Sequence, residues 1–182
     1  MIEASRGLRP LLAGPLRRGV ELGAGYVDFG GWVVAFGSAV RMPNGCAGPV
    51  RLWIGGGSLE PDAWWDPRPV PRIRLDVDRQ WRPDPIRLAG RGSGLTPAGD
   101  DILAGYAAGL TLFHGRRQEA EEIAAVAAPR TTSLSATLLR HAARGELPEP
   151  AHRLLEDGDP EPLRRFGHSS GRALLLGLAL AC

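Results

Sequence analysis

The sequence predicts an α+β protein in which a β-rich part, residues 1–90, packs on an α-helical bundle, residues 91–182. Three observations predict it. Up to about Gly90 the chain is rich in Gly, Pro, Trp and Val, with short alternating runs broken by turn residues. After Gly94 it turns Ala- and Leu-rich, with apolar residues at helical spacing. Finally, 182 residues of which 43% are hydrophobic can fill one compact core or two small ones.

In chain order, Tyr26–Phe29 and Trp32–Phe36 flank Gly30-Gly31, a pair suited to a tight hairpin turn. Asn44-Gly45 signals another turn. Pro49–Ile54 and Ile73–Val77 alternate enough for half-buried strands. Trp64, Trp65 and Trp81, set among prolines, are expected to cap a sheet edge. Thr96 and Pro97 read as the N-cap and first residue of a helix to Phe113. Its Ile102, Leu103, Tyr106, Leu110 and Phe113 form a core-facing stripe, and Gly115 ends it. Arg116–Ala128 makes a second helix, broken by Pro129. Thr131 or Thr132 caps a third, with Leu134, Leu138 and Ala142 inward and Gly145 as its stop. Pro150 opens a short fourth, and 157–162 reads as a loop. Ser169 or Ser170 caps a last helix, apolar almost all round and so expected at the centre of the bundle.

Composition narrows the function. All 22 basic residues are arginine, and the net charge is only +2. That bias fits a GC-rich genome, and no basic tail or aromatic-interleaved basic stripe supports nucleic-acid binding. Cys46 and Cys182 offer neither a disulfide framework nor metal-ligand spacing, as expected in a reducing cytoplasm. The arginines at 6, 9, 17 and 18 interrupt any signal-type apolar segment, and the longest apolar run, Ala173–Cys182, is too short to span a membrane. The expectation is a soluble, intracellular protein.

The chemistry is expected at Gly90-Arg-Gly-Ser-Gly-Leu-Thr-Pro-Ala-Gly-Asp-Asp101, a glycine-rich loop entering a helix that opens on two aspartates. Helix N-terminal amides and glycine flexibility suit a bound anion. Gly94 to Gly99 fits the frame of a P-loop, yet Asp100-Asp101 stands where Lys-Ser/Thr belongs, which removes the charge a triphosphate needs. A dinucleotide fingerprint fails because position 95 is Leu. The aspartates then have three uses: holding a divalent cation such as Mg²⁺, accepting hydrogen bonds from a substrate amide, or complementing the helix dipole. Gly167-His-Ser-Ser-Gly171 matches a nucleophile elbow literally, but no buried strand precedes it and only 172–182 remain for the other triad members. It reads as a second helix start, with hydroxyls for an anion and His168 able to exchange a proton. Thr131-Thr-Ser133 is a third hydroxyl-rich helix start. His114, His141 and His152 fit no metal spacing and are assigned to helix ends or the surface.

Together, Gly94-Leu-Thr-Pro-Ala-Gly-Asp-Asp-Ile-Leu-Ala-Gly105 and Gly167-His-Ser-Ser-Gly171, with the Thr-Thr-Ser-Leu-Ser helix start between them, resemble the signature motifs of the AllH-like family. That domain family was long without assigned function, and it includes a subunit of the oxamate carbamoyltransferase of anaerobic allantoin breakdown. The resemblance covers Gly90 to the C-terminus. It departs at Ala98, where the family often has serine, and at Ser93, where proline is frequent; the chain is also shorter than expected of the family.

What the resemblance implies is carbamoyl transfer between phosphate and an oxamate-like acceptor, within a hetero-oligomeric complex in the cytoplasm. Gly92, Gly94, Thr96, Ser133, Ser169 and Ser170 would bind carbamoyl phosphate or an oxamate-like anion. Asp100, Asp101 and His168 would be the catalytic groups, working by positioning and electrostatic stabilisation rather than by a covalent intermediate. Two other readings stand beside it: a non-catalytic subunit or metabolite-binding module, and a divalent-metal hydrolase built on Asp100 and Asp101.

Overall fold

The computed structural model describes residues 1–14, 18–23, 25–47, 60–75 and 81–182. Its first part is a six-stranded mixed sheet: β1 (Glu3–Ser5), β2 (Val20–Gly23), β3 (Tyr26–Asp28), β4 (Val33–Phe36), β5 (Gly45–Ala47) and β6 (Ala63–Trp65), in the order β2-β3-β4-β5-β1-β6. Its second part is helical, and the whole is an α+β fold as the sequence predicts.

The expected hairpin is present. Val27 pairs with Val34 in antiparallel register, Phe29 N–H donates to Trp32 O at 2.9 Å, and Gly30 and Gly31 form the turn with φ of 80° and 92°. Both turn residues need positive φ, which glycine adopts without strain. Trp64 and Trp65 lie in the edge strand β6, whereas Trp81 belongs to no strand and is exposed. Central strand β1 carried no sequence signal; it is too short for a period to show, yet it pairs with β5 and β6 at once. The Pro49–Ile54 strand lies outside the described residues, and Ile73–Leu75 forms no strand, its backbone instead bonding helix residue Leu155.

Among the described residues, after the short helices α1 (Arg9–Leu12) and α2 (Pro85–Leu88), the bundle comprises α3 (Ala98–His114), α4 (Arg117–Ala127), α5 (Ser133–Ala143), α6 (Glu149–Asp157), α7 (Glu161–Arg164) and α8 (Ser170–Leu180). Gly115, at φ 66°, closes α3 in the left-handed conformation. Helix α3 starts one residue later than Thr96-Pro97 capping predicts: Pro97 is the cap, and no side chain caps the helix. Pro129 sits in a 3₁₀ turn continuing α4. Residues 161–162 belong to α7 rather than to a loop. On α5, Leu139 rather than Leu138 is fully buried.

Among the described residues, two hydrophobic clusters form. One joins β1, β3 and β4 through Ala4, Val27, Val34 and Phe36; the other fills the bundle around Leu103, Leu110, Leu139 and Leu178. The sheet docks on α5 through polar bonds: Val33 N–H donates to Thr137 Oγ1 at 3.0 Å, and Arg140 donates to Gly31 O at 2.7 Å. Among the described residues no helix is long and apolar enough to cross a membrane.

Candidate functional site

Helices α3 and α8 run parallel and in contact. Thr96 meets Ser170 at their beginnings, Gly105 meets Gly177 midway, and His114 meets Ala181 at their ends. Glycine makes this approach possible. A Cβ on Gly105 would lie 2.2 Å from Leu174 O, and one on Gly177 would lie 2.1 Å from Ile102 O. Both sequence motifs thus arrive at the same end of one helix pair. Parallel helices place two positive dipole ends side by side, an arrangement that negative charge relieves.

The glycine-rich loop sits on those helix starts. Gly90, Gly92 and Gly94 have φ of 72°, 131° and 88°, so all three occupy backbone space costly for other residues. Among the described residues, the amides of Gly92 to Thr96 donate to no protein acceptor, and 91–95 is exposed. The start of α5 closes one side: Thr132, which caps that helix, donates its hydroxyl to Leu95 O at 2.6 Å. Ser133 is the first residue of α5, and its side chain makes no bond in the site.

The two aspartates do different things. Asp100 is 2% exposed, and both its oxygens are occupied: Oδ1 accepts from Gly90 N–H at 2.8 Å, and Oδ2 accepts from the Thr131 hydroxyl. It ties the beginning of the loop to the entrance of α5. Asp101 is 8% exposed, and its Oδ2 is buried without a partner. Burial is the main influence on its carboxyl and raises it to about 7; Asp100's charge adds to the rise, and a hydrogen bond from Ser170 opposes it. The Ser170 hydroxyl lies 3.0 Å from Thr96 Oγ1, so Thr96, Ser170 and Asp101 form a chain from loop to interior.

Behind that chain lies a cavity of about 40 Å³, walled by Asp101, Ser170, Phe166, Glu146, Met42 and Pro43 among others. It lies where the bundle meets the loop before β5. Glu146, 6% exposed, accepts from His141 Nδ1 at 2.6 Å and pairs with Arg144 at 3.2 Å. Burial pushes the Glu146 carboxyl up, but the His141 hydrogen bond and the charges of Arg144 and Arg68 outweigh it and hold the group below its usual range. Burial also holds His141 below the usual histidine range, so the pair is a neutral imidazole donating to a carboxylate.

The remaining predicted residues divide. His168 and Ser169 are exposed on the turn before α8; Ser169 is its cap residue but makes no side-chain cap bond. His114 bonds Ala181 O at a helix end, as expected, and His152 bonds Pro67 O. His141, assigned to a helix end or the surface, does lie in the last turn of α5 but is wholly buried. Glu146, Met42 and Pro43 escaped the sequence reading, since His141 and Glu146 lie five apart and match no motif. Among the described residues no group of three or more His, Cys, Asp or Glu side chains is placed to hold a metal ion.

No match to the chain was found among curated proteins or among solved structures. The family model described as oxamate carbamoyltransferase subunit AllH matches residues 88–182, more than half of the chain, from the last residue of α2 through the glycine-rich loop to beyond α8. By that match, spanning both motifs and the helix pair that joins them, the chain belongs to the AllH family.

Proposed function

We propose that this chain binds a small amide-bearing anion at the paired starts of α3 and α8 and takes part in carbamoyl transfer between phosphate and an oxamate-like acceptor. The observation that carries this reading is Asp101: a buried carboxyl of the first motif with one oxygen unpartnered, set beside Ser170 of the second. The free loop amides of Gly92 to Thr96, with the helix dipoles behind them, hold the phosphate or carboxylate. Ser170 and Asp101 orient the amide. In the transfer, the acceptor nitrogen attacks the carbamoyl carbon, the new C–N bond forms as the C–O bond to phosphate breaks, and the nitrogen's proton passes to the Asp101 carboxylate. A carboxyl titrating near neutrality suits that exchange. Asp100 acts by fixing the loop; His168, exposed at the rim, meets the ligand from the solvent side.

The family description of AllH as a subunit favours a second reading, in which this chain binds the ligand and a partner subunit completes the chemistry. The metal alternative is the weaker, since Asp100 has both oxygens engaged and leaves Asp101 as a single ligand. Single-turnover phosphate release from carbamoyl phosphate and oxamate on the full chain tests the proposal. Turnover is expected, and Asp101→Asn is expected to slow it by about 10²-fold or more, the scale of a lost general base. Ligand-induced thermal stabilisation without turnover supports the subunit reading. If neither phosphate, carbamoyl phosphate nor oxamate raises the melting temperature, the anion site is wrong.

A further inference from the structure

We infer that the cavity between Met42-Pro43 and the α3–α8 pair is a subsite for an uncharged primary amide, selecting a –CONH₂ end over a carboxylate and over N-alkylated amides. The inference rests on the anion-site reading above and names what that site selects. Among the described residues, the cavity's polar lining consists of Asp101, Glu146 and Ser170, and every other lining residue is apolar or proline. Among the described residues no cationic side chain lines it; Arg144 and Arg68 pair with Glu146 from outside the lining, so a carboxylate entering there faces two acidic groups and no cation in the lining. An amide brings what the lining lacks. Its N–H groups reach acceptors, of which Asp101 Oδ2 has no partner of its own.

Size adds the second criterion. A cavity of about 40 Å³ has room for roughly one small polar group, and an added N-methyl group overfills it. The walls resist expansion, because Leu147 and Ala142 are fully packed and α3 and α8 touch backbone to backbone at Gly105 and Gly177. Ser170 joins the subsite to the loop through Thr96, so one ligand can place its anionic end on the loop and its amide inside.

Isothermal titration of the full chain with oxamate, oxalate, N,N-dimethyloxamate and inorganic phosphate tests this. Oxamate is expected to bind at least about tenfold tighter than either analogue, the scale set by leaving a buried polar group unpaired. Ala104→Val places two methyls at the cavity wall and is expected to erase that preference while phosphate affinity changes little. Should that variant fold poorly, Asp101→Asn, which preserves volume and turns an acceptor into a donor, is expected to erase the preference too. Equal binding of oxamate and oxalate overturns the subsite, as does a preference that survives both substitutions; phosphate binding in those cases leaves the anion site standing. If phosphate and oxamate both fail to bind, the anion site falls and the subsite with it.

Discussion

Asp101 makes a pH-dependent prediction that needs no ligand. In the unfolded chain its carboxyl titrates near 3.8, and in the fold near 7. The folded value is the higher one, so the native state resists ionisation: the loss of stability begins as pH rises past the unfolded value, grows up to about 7, and is constant above. With about 1.4 kcal/mol per unit, three units amount to about 4 kcal/mol at pH 8, of which about 1.5 kcal/mol is already present at pH 5. Asp101→Asn keeps the shape and cannot ionise. The variant's stability relative to the wild type should therefore rise by about 2–3 kcal/mol between pH 5 and pH 8, or about 5–10 °C in Tm for a chain of this size. Thermal melts of both proteins across that range measure it, and titrating groups that do not interact with Asp101 cancel in the difference. A Tm difference that does not change with pH refutes the reasoning and makes Asp101 an ordinary ionised carboxylate.

Other substitutions test the frame around it. Gly105→Ala forces a Cβ to 2.2 Å from a backbone oxygen, and should cost more than about 3 kcal/mol or abolish folding; Gly94→Ala meets nothing within 4 Å, so only its φ of 88° opposes it, at about 1 kcal/mol. Denaturant melts rank the two, and a reversed order would disprove the helix contact. Asp100→Ala strands the Gly90 amide and the Thr131 hydroxyl and should cost about 2–4 kcal/mol, with Thr131→Val costing about half as much and the same denaturant titration reading both. Cys46 is buried with its thiol pushed up to about 12, while Cys182 is exposed. A thiol reagent at pH 8 should therefore label one cysteine in the native protein and two after denaturation.

Much of the helical half was legible because its signals are local. Gly115 in the left-handed conformation and Thr132 bonding Ser135 N–H each follow from a few adjacent residues. The Gly30-Gly31 hairpin was legible for the same reason. The apolar helix 170–180, expected at the centre of the bundle, instead packs chiefly along α3 with Leu175, Leu176 and Leu180 part-exposed, and α3 takes the centre. What failed depends on partners far along the chain. Strand β1 exists because β5 and β6 flank it, and residues 73–75 are held by Leu155 instead of by a sheet. At the site, glycine and hydroxyl content announced the loop and both helix starts. Adjacent aspartates look alike in one dimension, and only the fold turns Asp100 to Gly90 and Thr131 while sending Asp101 inward to Ser170. Glu146 was invisible because its meaning comes from His141, Arg144 and the cavity, not from its neighbours in sequence.

The Gly105–Gly177 contact also gives the site a fixed gauge. The gap between Asp101 and Ser170 is set by two backbones already touching, so widening it means prising helices apart, not swinging a side chain. A lineage under pressure to accept a bulkier ligand has two softer walls to work with: the exposed loop 91–95 and the Met42-Pro43 side of the cavity. Divergence in ligand choice should therefore be written in those two segments, while the pair of glycines that sets the spacing stays put.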